Sequence, residues 1–240
     1  MGTAEVQGAL WGAAARDWSE LNEPHCAALY EAVFDALGVD GSTELLDAGC
    51  GAGLALQIAA ERVPGADLRR GDLESLPYGD GAFSAVTSFN AVQYAADPVA
   101  ALGELKRVAR PGSAVAVLSW GDPERCESRT ILAAIGGLLP PPPPGAEGPF
   151  ALAAAGKLEE LLGAAGLTAA GSGEVQQRFV FAALDEAVRA QLTSGPARMA
   201  IEHAGADATT AAITGAYDGN RQPDGTYVQR NVFRYVIGRA

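Results

Sequence analysis

Histidine and cysteine are scarce in this chain of 240 residues, which contains two histidines and three cysteines. Cys26, Cys50 and Cys126 are widely scattered, odd in number and not arranged in metal-ligand spacing. Structural zinc sites draw on cysteines and histidines at short, regular intervals. The sequence therefore predicts no metal site.

Positive charge and long apolar runs are also lacking. The 17 Lys and Arg residues face 29 Asp and Glu residues, which leaves a net charge of −12. Binding a nucleic acid backbone requires a cluster of basic residues, so a nucleic acid partner is not expected. No run of about 18 apolar residues is present, and residues 1–10 lack the basic start and apolar run of a secretory signal. These absences predict a cytoplasmic protein with no membrane partner.

The most informative feature that is present lies at residues 45–54, Leu-Leu-Asp-Ala-Gly-Cys-Gly-Ala-Gly-Leu. An apolar strand ends in an acidic residue, glycine follows at every second position, and a helix-forming run begins at Leu54. Glycine permits positive φ and lets a ligand lie against bare backbone. The start of a helix offers unpaired N–H groups. This turn is predicted to bind a cofactor.

Three glycine patterns compete for the turn. A phosphate-binding loop requires a lysine that is missing here, and a dinucleotide fingerprint requires a third glycine where Leu54 stands. The pattern present, Asp-x-Gly-x-Gly-x-Gly, resembles the first motif of class I S-adenosylmethionine (SAM)-dependent methyltransferases. A nicotinamide oxidoreductase is a distant third reading because of Leu54.

Two later motifs strengthen this resemblance. Residues 71–78 read Gly-Asp-x-x-x-Leu-Pro followed by an aromatic residue, and a buried strand is predicted at residues 82–89. A helix with Asp97 as N-cap and Pro98 at its first position ends in Leu-Lys-Arg-Val-Ala-Arg-Pro-Gly at residues 105–112. The three motifs occur in the order that is common in the family, and the resemblance covers roughly residues 45–121.

The alternation of strands and helices predicts an α/β fold. The resemblance implies a Rossmann-like, doubly wound and mostly parallel sheet with an antiparallel C-terminal edge hairpin and a helical cap. The hairpin strands are expected at residues 175–181 and 228–237. We expect a helical cap segment at residues 1–43, and a Rossmann domain at residues 44–240 with a helical insertion at about 185–219.

One departure from the family pattern concerns residues 54–70. This segment suffices for one helix and one short strand at residues 66–70, so the usual second strand–helix unit is apparently lacking. That unit normally supplies the acid that binds the ribose. Asp72 follows Gly53 by nineteen residues, near the separation of about twenty expected for a ribose-binding acid. In the intact family pattern the same residue would lie near the adenine, and both roles remain open.

The resemblance also implies a set of site residues. The cofactor-binding residues are expected to be Asp47, Gly49, Cys50, Gly51, Gly53, Asp72, Leu73 and Asn90. The residues expected to contact the acceptor are Trp11, Trp18, Gln93 and Tyr94. The two tryptophans are seven residues apart and are therefore expected on one face of a helix. Each could also have a packing role.

Methyl transfer requires chiefly that the acceptor is aligned with the cofactor and that water is excluded. A base helps only where the acceptor must lose a proton. His25 and His203 are the candidates for that catalytic role, and either could instead be a surface or packing residue.

The expected function is methyl transfer from S-adenosylmethionine to an O, N or C atom of a small molecule. The alternative is a methyltransferase-fold protein that no longer methylates, and that binds a small molecule or catalyses a SAM-independent rearrangement.

Overall fold

The computed structural model describes residues 4–63, 72–141 and 148–240, which form one five-stranded sheet and ten α-helices. In chain order these elements are α1 (Ala4–Gly12), α2 (Ala15–Leu21), α3 (Ala27–Leu37), β1 (Leu45–Asp47), α4 (Leu54–Arg62), β2 (Phe83–Phe89), α5 (Pro98–Val108), β3 (Ala109–Trp120), α6 (Ser128–Gly136), α7 (Lys157–Ala164), β4 (Thr168–Phe181), α8 (Leu184–Leu192), α9 (Gly195–Ala204), α10 (Ala206–Ala216) and β5 (Tyr227–Arg239). None of the helices in these three ranges is long and apolar enough to cross a membrane.

The sheet has the strand order β1-β2-β3-β5-β4. Strands β1, β2 and β3 run parallel to one another, whereas β5 lies antiparallel to both β3 and β4. The predicted α/β fold with an antiparallel pair at the C-terminal edge is thus confirmed. The predicted strand at residues 66–70 lies outside the described residues.

Each face of the sheet carries its own hydrophobic cluster. One cluster packs α3, α4, α6 and the three helices α8, α9 and α10 against the sheet, with Phe34 and Phe233 among its fully buried side chains. The other packs α5 and α7 on the opposite face through residues such as Leu102 and Leu162. Packing on both faces explains why six of the seven residues of β2 are buried, the polar Thr87 and Ser88 among them.

Helix α5 shows how local signals set an element boundary. The side chain of Asp97 accepts hydrogen bonds from the N–H groups of Val99 and Ala100, at 2.9 and 3.0 Å, and Pro98 occupies the first helical position. At its C-terminal end the helix stops at Val108, since the next residue already pairs with β2.

Two strands are longer than the sequence predicts. Strand β4 begins at Thr168 and not at residue 175, and β5 ends at Arg239 and not at residue 237. The extra residues of β4 include glycines, which have no strand preference of their own. They form strand because β5 offers them a continuous hydrogen-bonding partner as far as Arg239.

The segment at residues 184–216 forms three helices. The first break falls at Thr193 and Ser194, and Ser194 caps α9 by accepting a hydrogen bond from the N–H of Ala197 at 3.3 Å. The second break is at Gly205, where φ is +91°. The three helices contact one another, and α9 also packs against α1.

Candidate functional site

The glycine turn follows β1 at the carboxyl edge of the sheet and leads directly into α4. Gly49, Gly51 and Gly53 have φ values of +83°, +57° and +100°, which side chains with a Cβ rarely adopt. A Cβ on Gly49 would lie 2.5 Å from the Cβ of Ala91. The turn is therefore packed against the loop that follows β2. Glycine is required at position 49 because φ is positive and because a Cβ would collide with Ala91.

A cavity of about 720 Å³ opens over this turn. The size is typical of small-ligand and cofactor sites, which are about 300–1,000 Å³. The carboxyl ends of parallel strands are where ligands bind in open α/β sheets. The glycine turn and the ends of β2 and β3 form its floor, while α1 and α2 form one wall.

Asp47 is the last residue of β1 and is buried beneath the cavity. Its Oδ1 accepts a hydrogen bond from the hydroxyl of Thr87 at 3.0 Å. Burial raises the pKa of Asp47 to about 7, the bond from Thr87 opposes the rise, and the negative charge of Glu23 adds to it. Near neutral pH this carboxyl group is thus poised between its two protonation states.

Glu23 is a site residue that the sequence analysis missed. It is buried, with 3% of its surface exposed. Its two carboxylate oxygens accept hydrogen bonds from the N–H groups of Ala52 and Leu54, at 3.2 and 3.3 Å. Burial raises the pKa of Glu23, and these backbone bonds oppose the rise. The carboxylate thereby satisfies donors at the start of α4, and its charge raises the pKa of Asp47.

The segment that carries Glu23 is held in place by its neighbour. The side-chain amide of Asn22 donates hydrogen bonds to the carbonyl of Ala190 at 2.7 Å and to the hydroxyl of Thr193 at 2.9 Å. Both partners lie at the end of α8, more than 160 residues away in the chain. No local pattern in Asn-Glu-Pro-His signals these contacts, so sequence reasoning had no means of finding them.

Asp72 and Leu73 line the cavity beside the glycine turn. Oδ1 of Asp72 accepts a hydrogen bond from the N–H of Glu74 at 3.0 Å, so the residue also shapes its own turn. Leu73 approaches Gly49, since a Cβ on that glycine would lie 3.2 Å from Leu73 Cδ1. Cys50 lines the same region, and burial raises the pKa of its thiol.

Asn90 stands directly after β2 and also lines the cavity. It is the one non-glycine residue with positive φ (+50°) in the described ranges. Its buried Oδ1 has no hydrogen-bond partner within those ranges. A strained backbone and an unsatisfied polar atom at a cavity wall are both features that cluster at ligand sites.

The residues expected to meet the acceptor divide into two groups. Trp11, Trp18 and Tyr94 line the cavity and contact one another, with ring centroids 4.8 Å apart for the tryptophan pair and 5.8 Å for Trp11 and Tyr94. The tryptophans do not share one helix, because the chain breaks between α1 and α2 around Ala14. Gln93 is buried and is not among the residues that line the cavity.

Neither histidine lies at the cavity. His25 packs its ring against Phe179 and Phe181 of β4, with centroids 5.3 and 5.0 Å apart, and burial lowers its pKa. His203 is exposed near the end of α9. Gly53 is also outside the lining, because it caps α4 instead. The expected base is therefore not supported by the geometry, since a base must reach the proton it removes.

Metal chemistry was not expected from the sequence. In the part of the chain that the structure describes, no group of three His, Cys, Asp or Glu side chains could hold a metal ion. The polar side chains that line the cavity include carboxylates, amides and hydroxyls, which suit an organic cofactor with hydroxyl and amino groups.

Comparison with known proteins bears on the family to which this domain belongs. The family model of a methyltransferase domain matches residues 25–117. This range begins at His25, two residues after Glu23, and contains the glycine turn and most of β3. These residues form a class I SAM-dependent methyltransferase domain. The predicted family and its cofactor, S-adenosylmethionine, are confirmed.

Three relatives illustrate the match. Methyltransferase C1B3.06c of Schizosaccharomyces pombe is 38% identical over 85 residues, which is 34% of this chain and 30% of that protein. A Bacillus halodurans C-125 structure, described as that of a candidate methyltransferase, aligns with a TM-score of 0.58 at 13% identity over 88% of this chain and 97% of the other. Geranyl diphosphate methyltransferase, solved with SAM, has a TM-score of 0.51 at 14% identity, covering 89% and 84%.

The aligned share of each relative and its sequence identity limit what these matches establish. The chain spans a third or less of the length of the curated relatives that it matches. The solved structures are too distant in sequence to establish more than the shared fold. The methyltransferase domain is thus identified, whereas the acceptor must be argued from the cavity.

Proposed function

We propose that this protein transfers a methyl group from S-adenosylmethionine to an O, N or C atom of a small molecule. The observation that carries the proposal is the cavity, which is lined both by a glycine turn and by a cluster of aromatic side chains. One part has the features of a cofactor site and the other those of a pocket for a small organic acceptor.

The residues present fit the cofactor. Gly49 and Gly51 leave backbone exposed where side chains would intrude, and the unpaired Oδ1 of Asn90 is available to a ligand donor. Asp72 and Leu73 would hold the nucleoside, through a carboxylate for hydroxyl or amino groups and an apolar side chain beside the base. When bound, the cofactor supplies a methyl group on a positively charged sulfur.

The protein's own contribution is orientation and exclusion of water. Trp11, Trp18 and Tyr94 form a wall that would hold a flat acceptor against the glycine turn. Aligning two reactants in this way removes most of the entropic barrier to a bimolecular transfer. No side chain is assigned as a base, because neither histidine reaches the cavity.

Titration calorimetry tests the cofactor site. We expect micromolar binding of SAM and at least tenfold weaker binding by Asp72→Ala, a loss of about 1.4 kcal/mol. Asp72→Asn retains an acceptor for the N–H of Glu74 and so separates the loss of charge from the loss of the turn. Asp207→Ala, an exposed acid on α10, is the control. Unchanged affinity in both Asp72 variants would remove this residue from the site.

Transfer itself is tested with SAM labelled on its methyl group and a panel of small phenols and amines. Labelled product would support the proposal. Firm binding of SAM with no transfer to any member would favour the alternative, a methyltransferase-fold protein that binds small molecules or rearranges them without methylation.

A further inference from the structure

The charged groups at the cavity all have one sign. Among the described residues that line it, the charged side chains are Glu5, Glu23, Asp47 and Asp72, and none is Lys, Arg or His. Glu23 and Asp47 are buried, at 3% and 6% exposure. The cavity therefore has two buried acidic groups at its floor and no described cation to balance an incoming anion.

The rest of the wall is aromatic. Trp120 packs on Phe233 with centroids 4.5 Å apart, and Phe179 lies 6.2 Å from Trp120. Trp11 and Trp18 form a second cluster of rings on the side made by α1 and α2. Aromatic surfaces of this kind bind flat apolar molecules through large buried areas.

An anionic group would lose its hydration in this cavity without finding a compensating charge. Burying an unpaired charge is costly, and a like charge nearby makes it more so. Carboxylate and phosphate sites in proteins are normally built with Arg, Lys or convergent N–H donors. Here the N–H groups of Ala52 and Leu54, which could have served an anion, are already bonded to Glu23. The net charge of −12 also repels anions at a distance.

We infer that the acceptor is a small, largely apolar and ring-containing molecule that carries no phosphate, sulfate or carboxylate group. Its identity as an acceptor rests on the proposed function, whereas the discrimination against anions belongs to the cavity itself. Neutral phenols and amines fit this chemistry.

Matched probes on the whole chain described above test the inference. Calorimetry compares 2-naphthol with 2-naphthyl phosphate and 2-naphthoate, which share one ring system and differ in charge. We expect 2-naphthol to bind at least tenfold more tightly than either anion. An anion that binds as tightly as 2-naphthol, or more tightly, would overturn the inference.

A charge introduced into the wall provides a second readout. Trp18 is partly exposed at the cavity, so Trp18→Arg can be accommodated with its charge near the opening. We expect Trp18→Arg to reduce the preference for 2-naphthol over the phosphate at least tenfold, whereas Trp18→Phe should preserve it. An equal preference in the two variants would contradict the electrostatic reasoning.

SAM binding, measured on the same preparation, separates the two proposals. A preference for the neutral probe without SAM binding would refute the proposed methyl transfer and leave the inference standing. SAM binding together with tighter binding of the anions would refute the inference and leave the proposed methyl transfer standing.

Discussion

The protonation of Asp47 makes the stability of this fold depend on pH in a direction opposite to that of most carboxylates. Burial raises its pKa to about 7 from an ordinary 3.8. Between these values the folded protein retains a proton that the unfolded chain has lost. The free energy of unfolding therefore falls as the pH rises through this range, since the slope follows the difference in bound protons.

The size of the effect follows from linkage. One pKa unit corresponds to about 1.36 kcal/mol, so this group should lower the free energy of unfolding by about 1.3 kcal/mol from pH 5 to pH 6. Asp47→Asn cannot titrate, yet its side-chain oxygen can still accept the hydrogen bond from Thr87. The variant should thus gain about 1.3 kcal/mol relative to the parent protein over the same step, whatever its stability at pH 5.

Urea unfolding followed by circular dichroism measures this difference. Both proteins are unfolded at pH 5 and at pH 6, and the two free energies are subtracted at each pH. Asp207→Asn on the exposed face of α10 controls for the removal of a carboxylate. If Asp47→Asn and the parent protein respond identically to this change of pH, the raised pKa and the argument built on it are refuted.

Two further substitutions test the glycine turn. Gly49→Ala would force a Cβ to within 2.5 Å of the Cβ of Ala91 at a φ of +83°, and we expect a loss of about 1–3 kcal/mol of stability together with loss of SAM binding. Gly79→Ala, where a Cβ meets open space, should change stability by less than about 0.5 kcal/mol, and equal melting temperatures for the two variants would contradict this reading. Glu23→Gln leaves one acceptor oxygen of two and removes the charge at the start of α4, so unfolding at pH 7 should require about 1–2 kcal/mol less. An unchanged urea midpoint would show that this cap is not stabilising.

Local sequence decided the features whose causes are local. The order strand, glycine turn, helix at residues 45–54 could be foreseen because glycine spacing and an apolar run act over a few residues. The N-terminus of α5 was equally predictable, since Asp97 and Pro98 satisfy the first turn of the helix themselves. The α/β class followed from the alternation of such elements.

The lengths of the strands were harder to predict from the sequence. The early part of β4 contains alanine and glycine, whose own preferences do not indicate a strand. Its conformation is imposed by hydrogen bonding to β5, whose paired residues lie 60 to 71 positions later in the chain. Pairing partners this distant leave no local mark on the composition of a segment.

The site shows the same division between local and distant causes. The sequence determined which residues form the glycine turn, because motif and turn coincide. Only the tertiary structure decided that Glu23 reaches the N–H groups of that turn from 29 and 31 residues away, and that His25 turns instead toward β4. The charge of the cavity could likewise not be predicted from the sequence. It depends on which side chains meet across the fold, and that is set by packing between segments that are far apart in the chain.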